Sequence, residues 1–396
     1  MNFALIADTF PPLRTSGAVQ LRDLSREFVR QGHSLTVMLP TSGLEQPWAM
    51  EVLNGVQILR LRAPKTKDIG YVQRTVGEFV MPFSMLKNLR KSPLADTRWD
   101  GVVWYAPSIF FGPLVSALKK RSGCRSYLII RDIFPEWAVD MGLMGRGLPY
   151  RFLKAVANYQ YSVADVIGIQ TSGNAVYFQD GTSAQAHELE VLQNWLADAP
   201  VQRCSIDISK TALAGRKVFV YAGNMGVAQG MDILLDLADA LQHRPDIGFL
   251  FVGRGSDAQR LADEARSRRL VNMVFEDEIE PDEIPGLYAQ CAVGMVALHP
   301  KHKTHNIPGK FLTYMQSGLP VLANINEGND LVELIRQERV GAAVTDGSVD
   351  SLKQMAEQLI DQAVQDTGFP SRCRELYERL FSPENAVKQI VGAFQQ

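Results

Sequence analysis

The segment Lys217 to Gln242 reads KVFVYAGNMGVAQGMDILLDLADALQ. An apolar run of strand length enters a turn with glycines at 223, 226 and 230 and leaves as an amphipathic helix. Glycines allow backbone N–H groups to approach an anion closely, and the first turn of a helix adds unpaired donors at the positive end of its dipole. The segment is therefore predicted to hold a phosphate. A similar turn lies near the start of the chain, where DTFPPLRTSGA, Asp8 to Ala18, follows the run NFALIA and precedes the amphipathic stretch VQLRDLSREFVRQ. Each half of the chain thus opens with a strand, a glycine turn and a helix.

Strand-length apolar runs alternate with helical patterns throughout, the signature of βαβ units and a parallel sheet. NFALIA, LTVML, VQILRL, GVVWYA, SYLIIR and DVIGIQ fall in the first half, and KVFVYAG, GFLFVG, VNMVF, CAVGMVAL, LPVLAN and GAAVT in the second. The polar stretch from His187 to Gly215 separates them, with a hinge expected close to Trp195. The predicted organisation is α/β, two Rossmann-like doubly wound domains facing a central cleft. Residues 1–195 and 196–382 form these domains, and 383–396 a last amphipathic helix able to pack on either.

With 396 residues, 46% hydrophobic, the chain has material for two cores. A net charge of −2 speaks against a general nucleic-acid binder. Cys124, Cys204, Cys291 and Cys373 form no C-x-x-C pair, so no zinc knuckle or redox motif is written, and a reducing compartment fits. MNFALIAD reads as a strand, without the pattern of a secretion signal. The longest apolar run, Val102 to Leu118, is interrupted by Pro107, Gly112 and Pro113 and reads as a strand, a turn and a helix.

Several loops carry residues suited to chemistry. GFLFVG leads at once into Arg254, Gly255 and Ser256, a second glycine turn that either cradles phosphate or only punctuates the chain. Leu298 to Ala323 holds a polar loop and then a helix beginning near Pro308 and Gly309, with Lys310 in its first turn. A helix dipole disfavours a cation there, so an anion is expected to compensate it, a bound diphosphate or a neighbouring carboxylate. His299, His302 and His305 are spaced for a metal, but Lys301 and Lys303 lie between them and no acid completes a ligand set. No metal site is predicted. After SYLIIR, Asp132 and Glu136 emerge at a strand end, where either could serve a sugar hydroxyl as hydrogen-bond acceptor or base. The structural alternatives are a helix N-cap for Asp132 and a solvated side chain for Glu136.

Residues 62–98 interleave Arg62, Lys65, Lys67, Arg74, Lys87, Arg90, Lys91 and Arg98 with apolar residues such as Val72, Val76, Phe79, Val80 and Phe83. The pattern suits an anionic membrane surface, or an ordinary helix with a solvated basic side.

YAPSIFFG at 105–112, YLIIRDIFPEW at 127–137, LQNW at 192–195, YAGNMGVAQGMD at 221–232 and HNIPGKFLTYMQSGLPVLANINEGNDL at 305–331 carry a family resemblance. The chain resembles the GT-B glycosyltransferases of family 4, and within them the bacterial enzymes that add N-acetyl-L-fucosamine in O-antigen or capsule assembly. The resemblance implies a retaining, metal-independent transfer from a UDP-sugar bound on the C-terminal domain. The implied acceptor is a lipid-diphosphate-linked saccharide on the N-terminal domain, at the cytoplasmic face of the inner membrane. No cofactor is implied. The candidate catalytic residues are Asp132, Glu136 and Lys310. The candidate donor-binding residues are Arg14, Gly17, Gly223, Asn224, Gly226, Gln229, Arg254, Gly255, His305, Asn306, Pro308, Gly309, Lys310 and Thr313.

The chain departs from the family at four of these. Asn224 and Gln229 stand where most members carry an arginine and a lysine, and His305 and Thr313 where a pair of glutamates is usual. Either Lys310, Arg254 and Arg14 supply the charge, or the protein is an inactive subunit that binds donor or membrane. A UDP-sugar 2-epimerase of the same fold is a further alternative.

Overall fold

The computed structural model describes residues 1–13, 15–140, 142–178, 187–226, 229–299 and 306–395. The chain divides into two units, Met1–Trp195 with Pro383–Gln396, and Leu196–Ser382.

The first unit begins with β1 (Asn2–Ile6), α1 (Ser16–Arg30), β2 (Ser34–Thr41), β3 (Trp48–Leu53), β4 (Val56–Arg62) and α2 (Tyr71–Leu89). It continues through β5 (Gly101–Ala106), α3 (Gly112–Ser122), β6 (Arg125–Ile130), α4 (Glu136–Asp140), α5 (Leu148–Val163), β7 (Val166–Ile169) and β8 (Glu188–Val191). Its eight-stranded sheet has the order β3-β4-β2-β1-β5-β6-β7-β8. Alternate residues of a strand face opposite sides of a sheet. Phe3 and Leu5 accordingly pack with Leu21, Leu24 and Phe28 of α1, while Ala4 and Ile6 pack with Met81 and Met85 of α2 and Leu114 of α3. Both faces are covered, which is why the parallel strands read as unbroken apolar runs.

Two strands were not foreseen. β3 pairs antiparallel with β4 through a two-residue turn at Asn54 and Gly55, both at positive φ (52° and 81°). Asn-Gly is the preferred pair for such a turn, so this hairpin was legible in the chain. β8, reading ELEV, lies parallel to β7 at the sheet edge and is largely exposed, so it lacks the apolar run that marks the other strands. The polar linker expected from His187 therefore begins with a strand. The run from Val102 divides, as expected, into β5 and α3.

The second unit holds β9 (Lys217–Ala222), α6 (Asp232–Ala240), β10 (Ile247–Val252), α7 (Ala258–Ser267), β11 (Met273–Glu276) and α8 (Ile284–Tyr288). β12 (Val293–Ala297), α9 (Gly309–Gln316), β13 (Val321–Asn324), α10 (Asp330–Glu338), β14 (Gly341–Val344), α11 (Val349–Gln365) and α12 (Phe369–Leu376) follow. The six-stranded sheet has the order β11-β10-β9-β12-β13-β14, parallel throughout. Val218 and Val220 pack toward Phe311 and Leu312 of α9, and Phe219 and Tyr221 toward Leu234 and Leu235 of α6.

The last helix, α13 (Pro383–Gly392), belongs to the first unit. Val387, Ile390 and Val391 are buried with the α1 side of that core, Phe394 stacks edge-on to Phe3 at 5.2 Å, and Arg30 pairs with Glu384 at 2.7 Å. Gly101 is required beneath it, because a Cβ there would stand 2.6 Å from the Phe394 ring and 2.7 Å from Phe3.

In an open parallel sheet, ligands bind beyond the carboxyl ends of the strands where the strand order reverses. That point lies between β1 and β5 in the first unit and between β9 and β12 in the second.

Candidate active site

In the second unit the loops after β9, β10 and β12 pack against one another. The Met225 N–H donates to the Arg254 carbonyl and the Asp257 N–H to the Met225 carbonyl, at 2.8 and 3.0 Å. A Cβ on Gly253 would lie 2.2 Å from the Gly223 carbonyl oxygen, and one on Gly255 2.2 Å from that of Met225. Gly230, at φ 57°, passes 2.8 Å (from its virtual Cβ) to the Cα of His299 at the end of β12. The glycines of the second turn thus admit the first turn.

Lys310 lies at the centre of this arrangement. Tyr314, one turn further along α9, is buried, and its hydroxyl reaches the carbonyls of Val220 in β9 and Met295 in β12, each at 3.1 Å. Gly294 makes room for the ring, since a Cβ there would come within 2.5 Å of it. Held this way, the helix places the Lys310 ammonium 4.5 Å from the centre of the Tyr221 ring, with Nζ 3.1 Å from where a Gly223 Cβ would be. Such a cation–π contact compensates only part of the lost hydration. Burial lowers the Lys310 pKa to about 8. Among the described residues no carboxylate pairs with it. A half-buried ammonium beside a glycine backbone, in the first turn of a helix, is a site for an anion.

In the first unit a different set gathers at the switch point. Asp8 follows β1, Tyr105 ends β5, and Arg131 and Asp132 follow β6. Arg131 donates to Gln20 Oε1 at 2.7 Å and to the Tyr105 hydroxyl, and lies 5.6 Å over Trp195, whose indole N–H donates to the Gln20 carbonyl at 2.7 Å. Asp8 Oδ1 is buried and has no hydrogen-bond partner among the described residues. Burial raises the Asp8 pKa against the opposing charges of Lys67 and Arg74. Burial also lowers the Arg131 pKa.

Comparison with known proteins gives these loops a family context. Residues 216–362, most of the second unit, match the family described as "Glycosyl transferases group 1". The chain is 25% identical over 316 residues, 76% of its length and 75% of the relative's, to the putative colanic acid biosynthesis glycosyl transferase WcaI of Escherichia coli (strain K12). Over its whole length the fold matches sucrose-phosphate synthase from Thermosynechococcus elongatus, with TM-score 0.68, 14% identity and 98% of that chain covered. It also matches Anabaena Alr3699/HepE in complex with UDP-glucose, with TM-score 0.63, 16% identity and 99% of each chain covered. The chain is a GT-B glycosyltransferase.

Several candidates of this glycosyltransferase lie apart from the roles expected of them. Glu136 is neither a free carboxylate nor a solvated one: it starts α4, is largely buried and forms an ion pair with Lys154 of α5. Arg254 is exposed and forms a surface ion pair with Glu278 at 2.9 Å. Gln229 turns back on its own loop, its Oε1 accepting from the Gly226 N–H at 3.0 Å and from Asn224 Nδ2 at 3.3 Å. One donor expected for a phosphate, the Gly226 N–H, is therefore occupied, and the Gln229 amide oxygen is engaged within the loop. The Thr313 hydroxyl donates to the Lys310 carbonyl at 2.8 Å within α9 and faces Tyr288.

Other candidates lie in both units. Gly223 borders Lys310, and Asn306, Pro308 and Gly309 form the approach to α9, where nothing lies within 4 Å of a Cβ added to Gly309. Asp132 is exposed and precedes α4 by several residues, so it does not cap that helix. Gly17 belongs to the first unit, in the opening turn of α1, with its virtual Cβ 3.1 Å from the Tyr105 hydroxyl. Arg14, His302 and His305 lie outside the described residues. Asp8, Tyr105, Arg131 and Tyr221 were not singled out from sequence. For Asp8 a signal existed, since it is the first polar residue after the apolar run of β1.

Proposed function

We propose that this glycosyltransferase moves a sugar, N-acetyl-L-fucosamine by the sequence resemblance, from its UDP donor to a lipid-diphosphate-linked saccharide, with retained anomeric configuration. The observation that carries the reading is the half-buried Lys310 ammonium against Gly223, without a carboxylate partner among the described residues. As the sugar leaves, negative charge grows on the diphosphate, and a fixed cation in a poorly hydrated site stabilises that charge more than water would. Lys310 is the group in that role, and the backbone around Gly223 allows the phosphates to approach it. UDP-glucose in Alr3699/HepE supports a UDP donor, and the colanic acid name of the E. coli relative supports a place in bacterial surface polysaccharide assembly.

The lipid-linked acceptor is supported by α2. Tyr71, Val72, Val76, Phe79, Val80 and Phe83 are exposed on it, and Phe79 lies 6.3 Å from Phe152 of α5, itself exposed. Lys65, Lys67, Arg74, Lys87, Arg90 and Lys91 are exposed along the same segment. An apolar strip flanked by cations is the composition that settles on an anionic bilayer. No described helix is long and apolar enough to cross a membrane, so the contact proposed is peripheral. The decisive experiment incubates the purified chain with a panel of UDP-sugars and a short-chain prenyl-diphosphate saccharide and reads product masses. Gain of one sugar is expected for one donor, and no gain with any pair defeats the reading.

A further inference from the structure

Tyr221, buried at the next-to-last position of β9, engages two parts of the Lys310 site at once. The Lys310 ammonium lies 4.5 Å from the centre of its ring, and its hydroxyl donates to the Asn224 carbonyl at 2.8 Å. Asn224 lies in the glycine turn, so one phenol touches both the cation and the backbone beside it.

The path of the lysine makes this contact possible. Phe311 and Leu312 of α9 pack with Val218 and Val220, whereas the Tyr221 ring lies with α6 on the opposite face of the sheet. Lys310 therefore reaches past the end of β9, alongside Gly223, where a Cβ would stand 3.0 Å from Cε and 3.1 Å from Nζ. Gly223 keeps that passage open, and its φ of 132° disfavours any other residue there.

Tyr221 is itself held. Its ring stacks on Phe251 of β10 at 6.0 Å, and Phe251 on Phe275 of β11 at 5.1 Å, with interplanar angles of 24° and 23°. The three are register partners on neighbouring strands, and such cross-strand aromatic pairs resist the rotation of any one ring. Burial raises the Tyr221 pKa, so its hydroxyl stays protonated and remains a donor. A carboxylate would also hold the lysine, but it would neutralise the cation; a ring face attracts the ammonium and leaves its charge free for an anion.

We propose that Tyr221 is the positioning residue of this site: its ring holds the Lys310 ammonium in place without neutralising it, and its hydroxyl fixes the glycine turn to the same point. This rests on the reading that Lys310 acts on a leaving diphosphate. The spacing between cation and turn is thereby set by one side chain.

The test separates ring from hydroxyl in the full chain. Tyr221→Phe removes only the hydroxyl, and a fluorinated phenylalanine incorporated at the same position keeps that shape while draining negative charge from the ring face. Lys310 is titrated by NMR of isotope-labelled lysine, its signal assigned by its absence from K310M. UDP binding is measured by calorimetry, and thermal unfolding checks that each chain is folded. The fluorinated ring is expected to lower the Lys310 pKa by on the order of half a pH unit relative to Tyr221→Phe, as a weakened cation–π contact predicts. Tyr221→Phe is expected to weaken UDP binding roughly fivefold, the worth of one neutral hydrogen bond. A Lys310 pKa that is equal or higher with the fluorinated ring overturns the ring's role, and equal UDP affinity in the parent and Tyr221→Phe overturns the hydroxyl's. Fluorination should slow transfer in the parent and add nothing in K310M, the coupling expected of residues that act as one unit. The pKa shift with transfer indifferent to K310M defeats the role of Lys310 in transfer and leaves the Tyr221 contact standing. A K310M loss without the pKa shift does the reverse.

Discussion

The two sheets reverse strand order at equivalent places, yet their switch points hold opposite chemistry. Between β9 and β12 stands a half-buried cation, Lys310, against a glycine backbone. Between β1 and β5 stands a buried carboxylate oxygen, Asp8 Oδ1, beside a phenol. The shared fold supplies a crevice, and the residue that follows the strand decides which charge is left without a partner. An unpaired ammonium asks for a diphosphate; an unpaired carboxylate asks for a hydrogen-bond donor. Both are held at a cost to folding.

The comparison is broken most directly at Lys310. Lys310→Met is expected to lower transfer roughly 100- to 1,000-fold, the scale of removing one fixed donor from a developing anion. The same variant should be more stable than the parent. The Lys310 pKa is about 8 in the folded chain and near 10.5 unfolded, so the buried charge destabilises fully below about pH 8, and that destabilisation fades as pH rises toward 10.5. Chemical denaturation at pH 7 should show a gain on the order of 3 kcal/mol for K310M, shrinking as pH is raised. Slow transfer with no such gain would mean that the ammonium is solvated.

The acceptor side is sharpened at α2. Phe79→Asp with Phe83→Asp removes two exposed rings and should weaken binding to phosphatidylglycerol vesicles roughly tenfold or more, with UDP affinity unchanged. Co-sedimentation that is indifferent to both changes removes α2 from the membrane.

Glycine placement gives a smaller, purely structural contrast within the second unit. Gly255→Ala drives a carbon to 2.2 Å from the Met225 carbonyl, and should cost roughly 2 kcal/mol or more in urea unfolding. Gly309→Ala meets nothing within 4 Å and should leave stability within roughly 0.5 kcal/mol. The smallest effect expected is in protons. A diphosphate raises the Lys310 pKa again, so UDP binding near pH 9 should take up a fraction of a proton, measurable by calorimetry in buffers of different ionisation enthalpy and absent in K310M.

Much of this architecture is written in the chain. The central strands are buried on both faces, and sequences such as IGFLFV and GVVWYA have no other place to go. Even the unforeseen hairpin at Asn54 and Gly55 carried its own turn signal. β8 could not be read, because an exposed edge strand needs no apolar pattern. Lys310 was legible as a cation in the wrong half of a helix dipole, and α2 as a basic, apolar segment.

What the sequence alone determined is the periodicity of burial, the positions of the glycine turns and the charge of each loop, since these depend on neighbours along the chain. Only the tertiary structure decided which of those charges are already satisfied. Arg254 found Glu278, Glu136 found Lys154 through one of its two oxygens and Gln229 closed on Gly226, while Lys310 found no carboxylate and Asp8 Oδ1, like Glu136 Oε2, no hydrogen-bond partner among the described residues. Ion pairs and hydrogen bonds form between groups distant in sequence and adjacent in space. Which polar groups remain for a ligand is therefore settled by packing.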